Sequence, residues 1–280
     1  MSSAQTNEIK GAPLRKPPAI TQIFASKLVS IVLYFVIVSG IAYGSFVGAQ
    51  SMGYNWQWYR VPQFLYTYTE EGFELGVIFY GLQQTLLLSL TAFILATVLG
   101  LIVALLRLSG LVVGTAVAIG FLELIRNIPL LVLLYLFYYV LGPIFGFDRY
   151  TASVLCLAVF HSALISEILR AGINAVPQGQ WEGATSIGMT KAQTYRYIIL
   201  PQSIKFMLPP MTGEVVHLVK SSAIVSVIAV AELTTIGRNI ISDTYMSFEI
   251  WFTIAIVYMV VTLILSVGVS YLEKKYEVDN

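Results

Sequence analysis

The chain has 280 residues, of which 57% are hydrophobic and only 11% charged, and its net charge is +1. That balance lies outside the range of a soluble globular domain and offers no basic surface for nucleic acid. A single cysteine, Cys156, set in an apolar run, excludes an intrachain disulfide and suggests no thiolate metal cluster.

Residues 1–27 are polar, contain Pro13, Pro17 and Pro18, and carry Lys10, Arg15, Lys16 and Lys27. They read as a disordered leader. The long basic region, the span-length run behind it and the lack of a small-residue cleavage site argue against a cleaved signal peptide. Apolar runs that suffice to cross a bilayer, which takes roughly 20 residues of helix, predict six helices at 28–49, 77–106, 112–141, 150–172, 206–230 and 250–272. Lipid leaves such runs few other forms, because each backbone polar group must be satisfied internally. The fold class is therefore an all-α membrane protein, and with no internal repeat evident it reads as one membrane domain.

The first helix carries no charge and reads as an accessory span beside a five-helix core. Gly40, Gly44 and Gly48 recur every fourth residue on it, a face that allows close helix approach; incidental glycines facing lipid are the other reading. The loop 50–76 is aromatic and holds Glu70, Glu71 and Glu74. In the third helix Glu123, Arg126 and Asn127 share a face, and Glu123 can pair with Arg126 at i,i+3. Pro129 then leaves the carbonyl of Ile125 without its donor. The break presents a half-helix N-terminus that favours an anionic group, or else it is a packed kink with a structural ion pair.

The fourth helix presents Ser162, Ser166, Glu167 and Arg170 on one face, and His161 points away from it as a satisfied packing residue. The fifth starts with the helix-hostile pair Pro209-Pro210 and gathers Glu214, His217, Lys220 and Ser221 in one arc. Lys220 falls ~21 Å from the inner end at 1.5 Å per residue. Ionisable groups at that depth cost several kcal/mol and require a partner or a function. None of these clusters resembles a catalytic site, and neither histidine has a zinc-hydrolase spacing.

Between the fourth and fifth helices, residues 173–205 form a polar hairpin. Pro177 suits a first helical turn. Gly188 suits a left-handed terminus. Thr190-Lys-Ala-Gln193 has the form of a capping box for a second helix that Leu200-Pro201 ends. Gly183, Ala184 and Ser186 make the first helix slim enough to enter a groove, and Glu182 offers a charge to its basic rim. Docking to another protein is one reading; an amphipathic helix on the membrane face is the other, disfavoured by the few basic residues.

Lysine and arginine placement sets direction. With an inner N-terminus, eleven of the sixteen basic residues lie inside and three (Arg60, Arg149 and Arg238) outside. Both termini and the hairpin are therefore expected in the cytoplasm, with 273–280 as a cytoplasmic tail. No phosphate-cradling Gly-x-x-x-x-Gly-Lys-Ser/Thr occurs, so any nucleotide site belongs to another polypeptide.

Glu182, Ala184, Gly188, Ile198, Leu200 and Pro201 fall in register with the coupling loop of ABC-importer permeases, with Gly183 where that loop usually has a second alanine. Gly81-Leu-Gln-Gln-Thr-Leu, Glu123-Leu-Ile-Arg-Asn-Ile-Pro-Leu-Leu-Val, Glu167-Ile-Leu-Arg-Ala-Gly-Ile and Leu218-Val-Lys-Ser-Ser-Ala-Ile-Val-Ser-Val-Ile extend the match over about 75–272. The chain thus resembles the polar-amino-acid branch of type I ABC-importer permeases. The resemblance departs at Leu164, where relatives often carry an aromatic residue. It implies a core domain at 77–272, a second identical or related permease, two ATPases carrying ATP and magnesium, and an extracytoplasmic amino-acid-binding protein. It also implies a bacterial inner-membrane location and no cofactor bound by this chain. Coupling would fall to Glu182, Gly183, Ala184, Ser186 and Gly188. Arg126 or the adjoining half-helix would hold the substrate carboxylate, with Asn127, Ser162, Ser166, Lys220 and Ser221 along the path. An ion-coupled carrier or channel, and an intramembrane enzyme, are the alternatives from other classes.

Overall fold

The computed structural model describes residues 27–69 and 72–276. Apart from Lys27, the leader lies outside the described residues, as do Glu70, Glu71 and the last four residues of the tail. The helices are α1 (Lys27–Ser51), α2 (Val77–Leu108), α3 (Val112–Asn127), α4 (Leu130–Phe145) and α5 (Arg149–Asn174). They continue as α6 (Gln178–Ser186), α7 (Lys191–Ile228), α8 (Leu233–Thr244) and α9 (Ser247–Tyr276). A two-stranded hairpin, β1 (Tyr66–Thr69) and β2 (Gly72–Leu75), pairs antiparallel with Tyr66 opposite Leu75, and clusters Tyr66, Tyr68 and Phe73.

The chain divides into two compact units, residues 1–56 and 57–280. In the first, every described residue of α1 is at least partly exposed, and a Cβ added at Gly40, Gly44 or Gly48 would meet no neighbour within 4 Å. The glycine face is present, and within this unit no described helix packs on it.

The second unit is built around α2 and α5, the most extensively packed helix pair. Small residues explain how they approach. A Cβ on Gly100 would lie 2.8 Å from Ile165 Cγ2 and 3.0 Å from the carbonyl of Ser162, while Ala96 and Ala158 are fully buried alongside Ile165. Packing between membrane helices depends on such close contact, since lipid gives no hydrophobic drive between them. A Gly100→Leu variant is expected to lose about 1–3 kcal/mol through overpacking, measured as a lower thermal midpoint in detergent; an unchanged midpoint would mean the helices do not rely on this contact.

Among the described residues five helices are long and apolar enough to cross a membrane, or six if α3 and α4 form one bent span. Those two meet at an angle of 104° at Ile128-Pro129. The break expected from Pro129 is therefore present, and sharper than a kink. α4 then relaxes into a π-helical stretch at Leu136–Leu141 and ends at Gly146 in a left-handed conformation. Asp148 caps α5, its carboxylate accepting from the Thr151 amide at 2.9 Å, and these bonds hold its carboxyl below the usual range.

One expectation fails in α7: the second helix of the polar hairpin does not end at Leu200-Pro201, so no break separates it from the helix expected at 206–230. A π-helical stretch at Thr194–Ile199 runs directly into Leu200–Ser221, with Pro209 and Pro210 inside it. The wider turn sets Pro201 at the head of the new hydrogen-bond frame, where a missing N–H is tolerated. Beyond Pro209, the Thr212 hydroxyl donates to the Pro209 carbonyl at 2.5 Å, a local side-chain bond of the kind that supports proline-interrupted membrane helices. The last two turns, Ser222–Ile228, tighten to a 3-10 helix that stops at left-handed Ala229.

α8 lies at the end of the bundle shared with Val61 and Ile78, where Leu233, Ile240, Met246 and Ile250 form a separate core. Glu232 caps it: its carboxylate accepts from the Thr234 and Thr235 amides at 2.8 and 2.7 Å and from Tyr258 at 3.0 Å. Glu249, fully buried, accepts from the Gln57 amide at 2.6 Å and ties this end to the segment before β1. The polar hairpin occupies the opposite end, against Leu108.

Candidate functional site

α6 stands out from the bundle as a short, solvated helix whose ends are both defined by local chemistry. Pro177 precedes it. At its C-terminus Gly188 takes φ +76°, the Gly188 amide donates to Thr185 and the Met189 amide to Ala184, a paired termination that requires the left-handed residue. The Thr190–Gln193 capping box forms as expected, with the Thr190 amide donating to Gln193 Oε1 at 2.9 Å and the Gln193 amide to Thr190 Oγ1 at 3.3 Å. The turn between the helices is thus closed by backbone bonds and holds its shape without a partner.

Beneath it, Ile173, Val176, Ile199 and Met207 form a small core onto which Trp181 and Tyr195 pack edge to face. Of the expected coupling residues, Ala184 is buried, while Glu182, Gly183, Ser186 and Gly188 are exposed. Gln178, Trp181, Glu182, Thr185 and Ser186 line one shallow recess. A second, of about 600 Å³, opens between the end of α2 and the hairpin, lined by Leu105, Leu108, Trp181, Met189 and Tyr195 among others. Ile187, beside them, is exposed.

Where the hairpin joins the bundle, Arg107, Glu167 and Arg170 form one ion network. Glu167 bridges the two guanidiniums, one through Oε1 to Arg107 and the other through Oε2 to Arg170 at 2.8 Å. The α2–α5 bond is not legible from spacing, because Arg107 lies 60 residues from its partner. Glu167→Ala would leave two partly buried cations without an anion and is expected to cost about 1.5–3 kcal/mol. Thermal unfolding of the detergent-solubilised chain measures it; a midpoint within error of wild type would reduce the network to surface decoration.

The expected substrate-path residues do not behave alike. Ser162 and Ser166 are buried and donate to the carbonyls of Val159 and Ala163 on their own helix, so they line no open path in this conformation. Arg126, Asn127 and Lys220 are exposed, and Ser221 is half-buried. The Glu123–Arg126 pair does not form: Asn127 Nδ2 turns back onto the Glu123 carbonyl at 2.6 Å and onto its carboxylate at 3.3 Å. The side chains of Arg126 and Lys220 make no ion pair or hydrogen bond among the described residues.

His161, expected as a satisfied packing residue, is fully buried but satisfied at one nitrogen only: its Nδ1 meets Glu214 Oε1 at 2.5 Å, and its ring lies edge to face with that of His217. The sequence gives no register between α5 and α7, and so no means of seeing this contact.

Residues 96–278 match the family described as binding-protein-dependent transport system inner membrane component. Among curated relatives, the probable glutamine ABC transporter permease protein GlnM of Bacillus subtilis is 39% identical over 70% of this chain and 92% of its own. The glutamine transport system permease protein GlnP of Escherichia coli K12 is 32% identical over 71% and 92%. The glutamate/aspartate import permease protein GltJ of the same strain is 31% identical over 72% and 87%. A crystal structure of an amino acid ABC transporter with histidines shares 42% identity at a TM-score of 0.67, covering 71% of this chain and 94% of that one. The inward-facing MetNI methionine ABC transporter has the same fold at 19% identity and a TM-score of 0.61, over 71% and 95%.

Proposed function

We propose, because this chain belongs to the family of binding-protein-dependent transport system inner membrane components, that it is the permease subunit of an ATP-driven amino acid importer. The observation that carries the reading is the preformed hairpin at one end of an apolar bundle. A rigid, capped turn whose outer face is exposed is a handle for another protein. The family works with an ATPase and other transporter components, and the chain is their non-catalytic, multi-pass membrane part.

Four finer statements belong to this reading. Two ATPases carry the ATP and magnesium and grip α6 through Glu182, Gly183, Ala184, Ser186 and Gly188. A second permease, identical or related, stands alongside, and an extracytoplasmic protein delivers the amino acid. Both termini and the hairpin face the cytoplasm of a bacterial inner membrane, which the eleven-to-three distribution of basic residues supports. Arg126 and Lys220, cations that make no ion pair or hydrogen bond among the described residues, serve the passing solute, with Asn127 and Ser221 beside them and Ser162 and Ser166 entering the path when the helices rearrange.

Uptake by the reconstituted complex across a panel of amino acids tests the whole reading. Accumulation is expected only with ATP and the ATPase present, and for one or a few polar amino acids. Equal uptake by the permease alone, driven by an ion gradient, would overturn it in favour of a carrier.

A further inference from the structure

Glu214 is an unusual carboxylate. It is about nine-tenths buried in an apolar bundle, and among the described residues no lysine or arginine pairs with it. Its only ionic partners there are two imidazoles, His161 at 2.5 Å through Oε1 and His217 at 3.6 Å through Oε2. His161 Nε2, also buried, has no hydrogen-bond partner among the described residues. A buried imidazole satisfied at one nitrogen, against a buried carboxylate without a cation, is costly as packing alone. Both are strongly favoured by an arriving positive charge.

The donor geometry says which charge. One ligand atom from each of His161, Glu214 and His217 lies within 4.8 Å of the others. Two imidazole nitrogens and one carboxylate oxygen are a donor set that zinc takes with a fourth position left open, whereas magnesium and calcium prefer oxygen alone. Glu214-Val-Val-His217 has the Glu-x-x-His spacing that turns two ligands inward from one helix of a bundle. His161 supplies the third from α5. Bond lengths of about 2.0–2.2 Å require the three donors to draw together. The His217 side chain, 53% exposed, has the freedom to swing in, while the other two are fixed by packing.

We infer that His161, Glu214 and His217 form an intramembrane binding site for a transition-metal cation of the zinc class, tying α5 to α7. None of the three is among the residues assigned above to coupling or to the solute path. The cation neutralises the carboxylate and leaves its open coordination position toward the exposed side of His217.

The test is zinc titration of the full transporter complex in nanodiscs, stripped beforehand with chelator, against a chromophoric competitor. Wild type is expected to bind one zinc per permease chain. His217→Ala, chosen because an exposed side chain can be removed without disturbing the fold, weakens that binding by about tenfold or more. His161→Gln, checked for an unchanged thermal midpoint, does the same. Less than one zinc per chain, or one zinc held equally well by His217→Ala, overturns the site. The measurement reads binding without transport, so its failure leaves the importer reading untouched.

Discussion

Replacing Glu182 with lysine is expected to release the ATPase and abolish ATP-driven uptake, while the permease itself remains folded. The fold tolerates the change: Glu182 is exposed, its carboxylate makes no ion pair or hydrogen bond among the described residues, and lysine matches glutamate in helix propensity. What holds α6 in shape is elsewhere, in the Gly188 termination, the Thr190–Gln193 box and the Trp181–Tyr195 contact. The loss is therefore read at an interface. Disrupting one member of a desolvated charge pair across an interface costs about 2–5 kcal/mol, or about thirtyfold or more in affinity at about 1.4 kcal/mol per decade. Co-purification of the ATPase with the variant permease measures it, with Glu182→Gln expected to fall between. Full recovery of the ATPase on Glu182→Lys would remove α6 from the contact.

That prediction rests on a feature legible in the sequence, and the reason is physical. Capping and termination are local, so Gly188, Thr190 and Gln193 announce their roles within a few residues. Span-length apolar runs are equally local, and α2, α5 and α9 begin and end within a few residues of the expected bounds. Pro129 breaks its helix as a missing N–H requires. The failures share the opposite property. Pro201 reads as a stop because nothing in its neighbours announces the π-helical turn that carries the helix through it. α8 escapes a search for spans because its apolar residues Leu233, Ile236, Ile240 and Ile241 are too few to register as one. Glu232 with Thr235 nonetheless has the look of a cap. The contacts of His161 with Glu214 and of Arg107 with Glu167 cross 53 and 60 residues. Only the relative rotation of two helices decides them.

Arg126→Ala is expected to lower uptake about ten- to a hundredfold, the loss of one or two charged hydrogen bonds to a substrate carboxylate, while ATPase association and thermal stability stay at wild-type level. The side-chain geometry makes this a cleaner test than spacing alone would suggest. Had Glu123 paired with Arg126, removing the guanidinium would have stranded a carboxylate, and a drop in uptake would be indistinguishable from damage to the fold. Glu123 is instead engaged by Asn127, so Arg126 leaves nothing unpaired behind it. A cation that makes no ion pair or hydrogen bond among the described residues costs free energy in an apolar segment, and Arg126 sits beside the 104° break, where the proposed path would run. Arg126→Lys keeps the charge but loses the planar fork that matches a carboxylate, and should recover part of the rate. Normal uptake by Arg126→Ala would dispose of the role, and a fall in thermal midpoint would move the residue from the path to the scaffold.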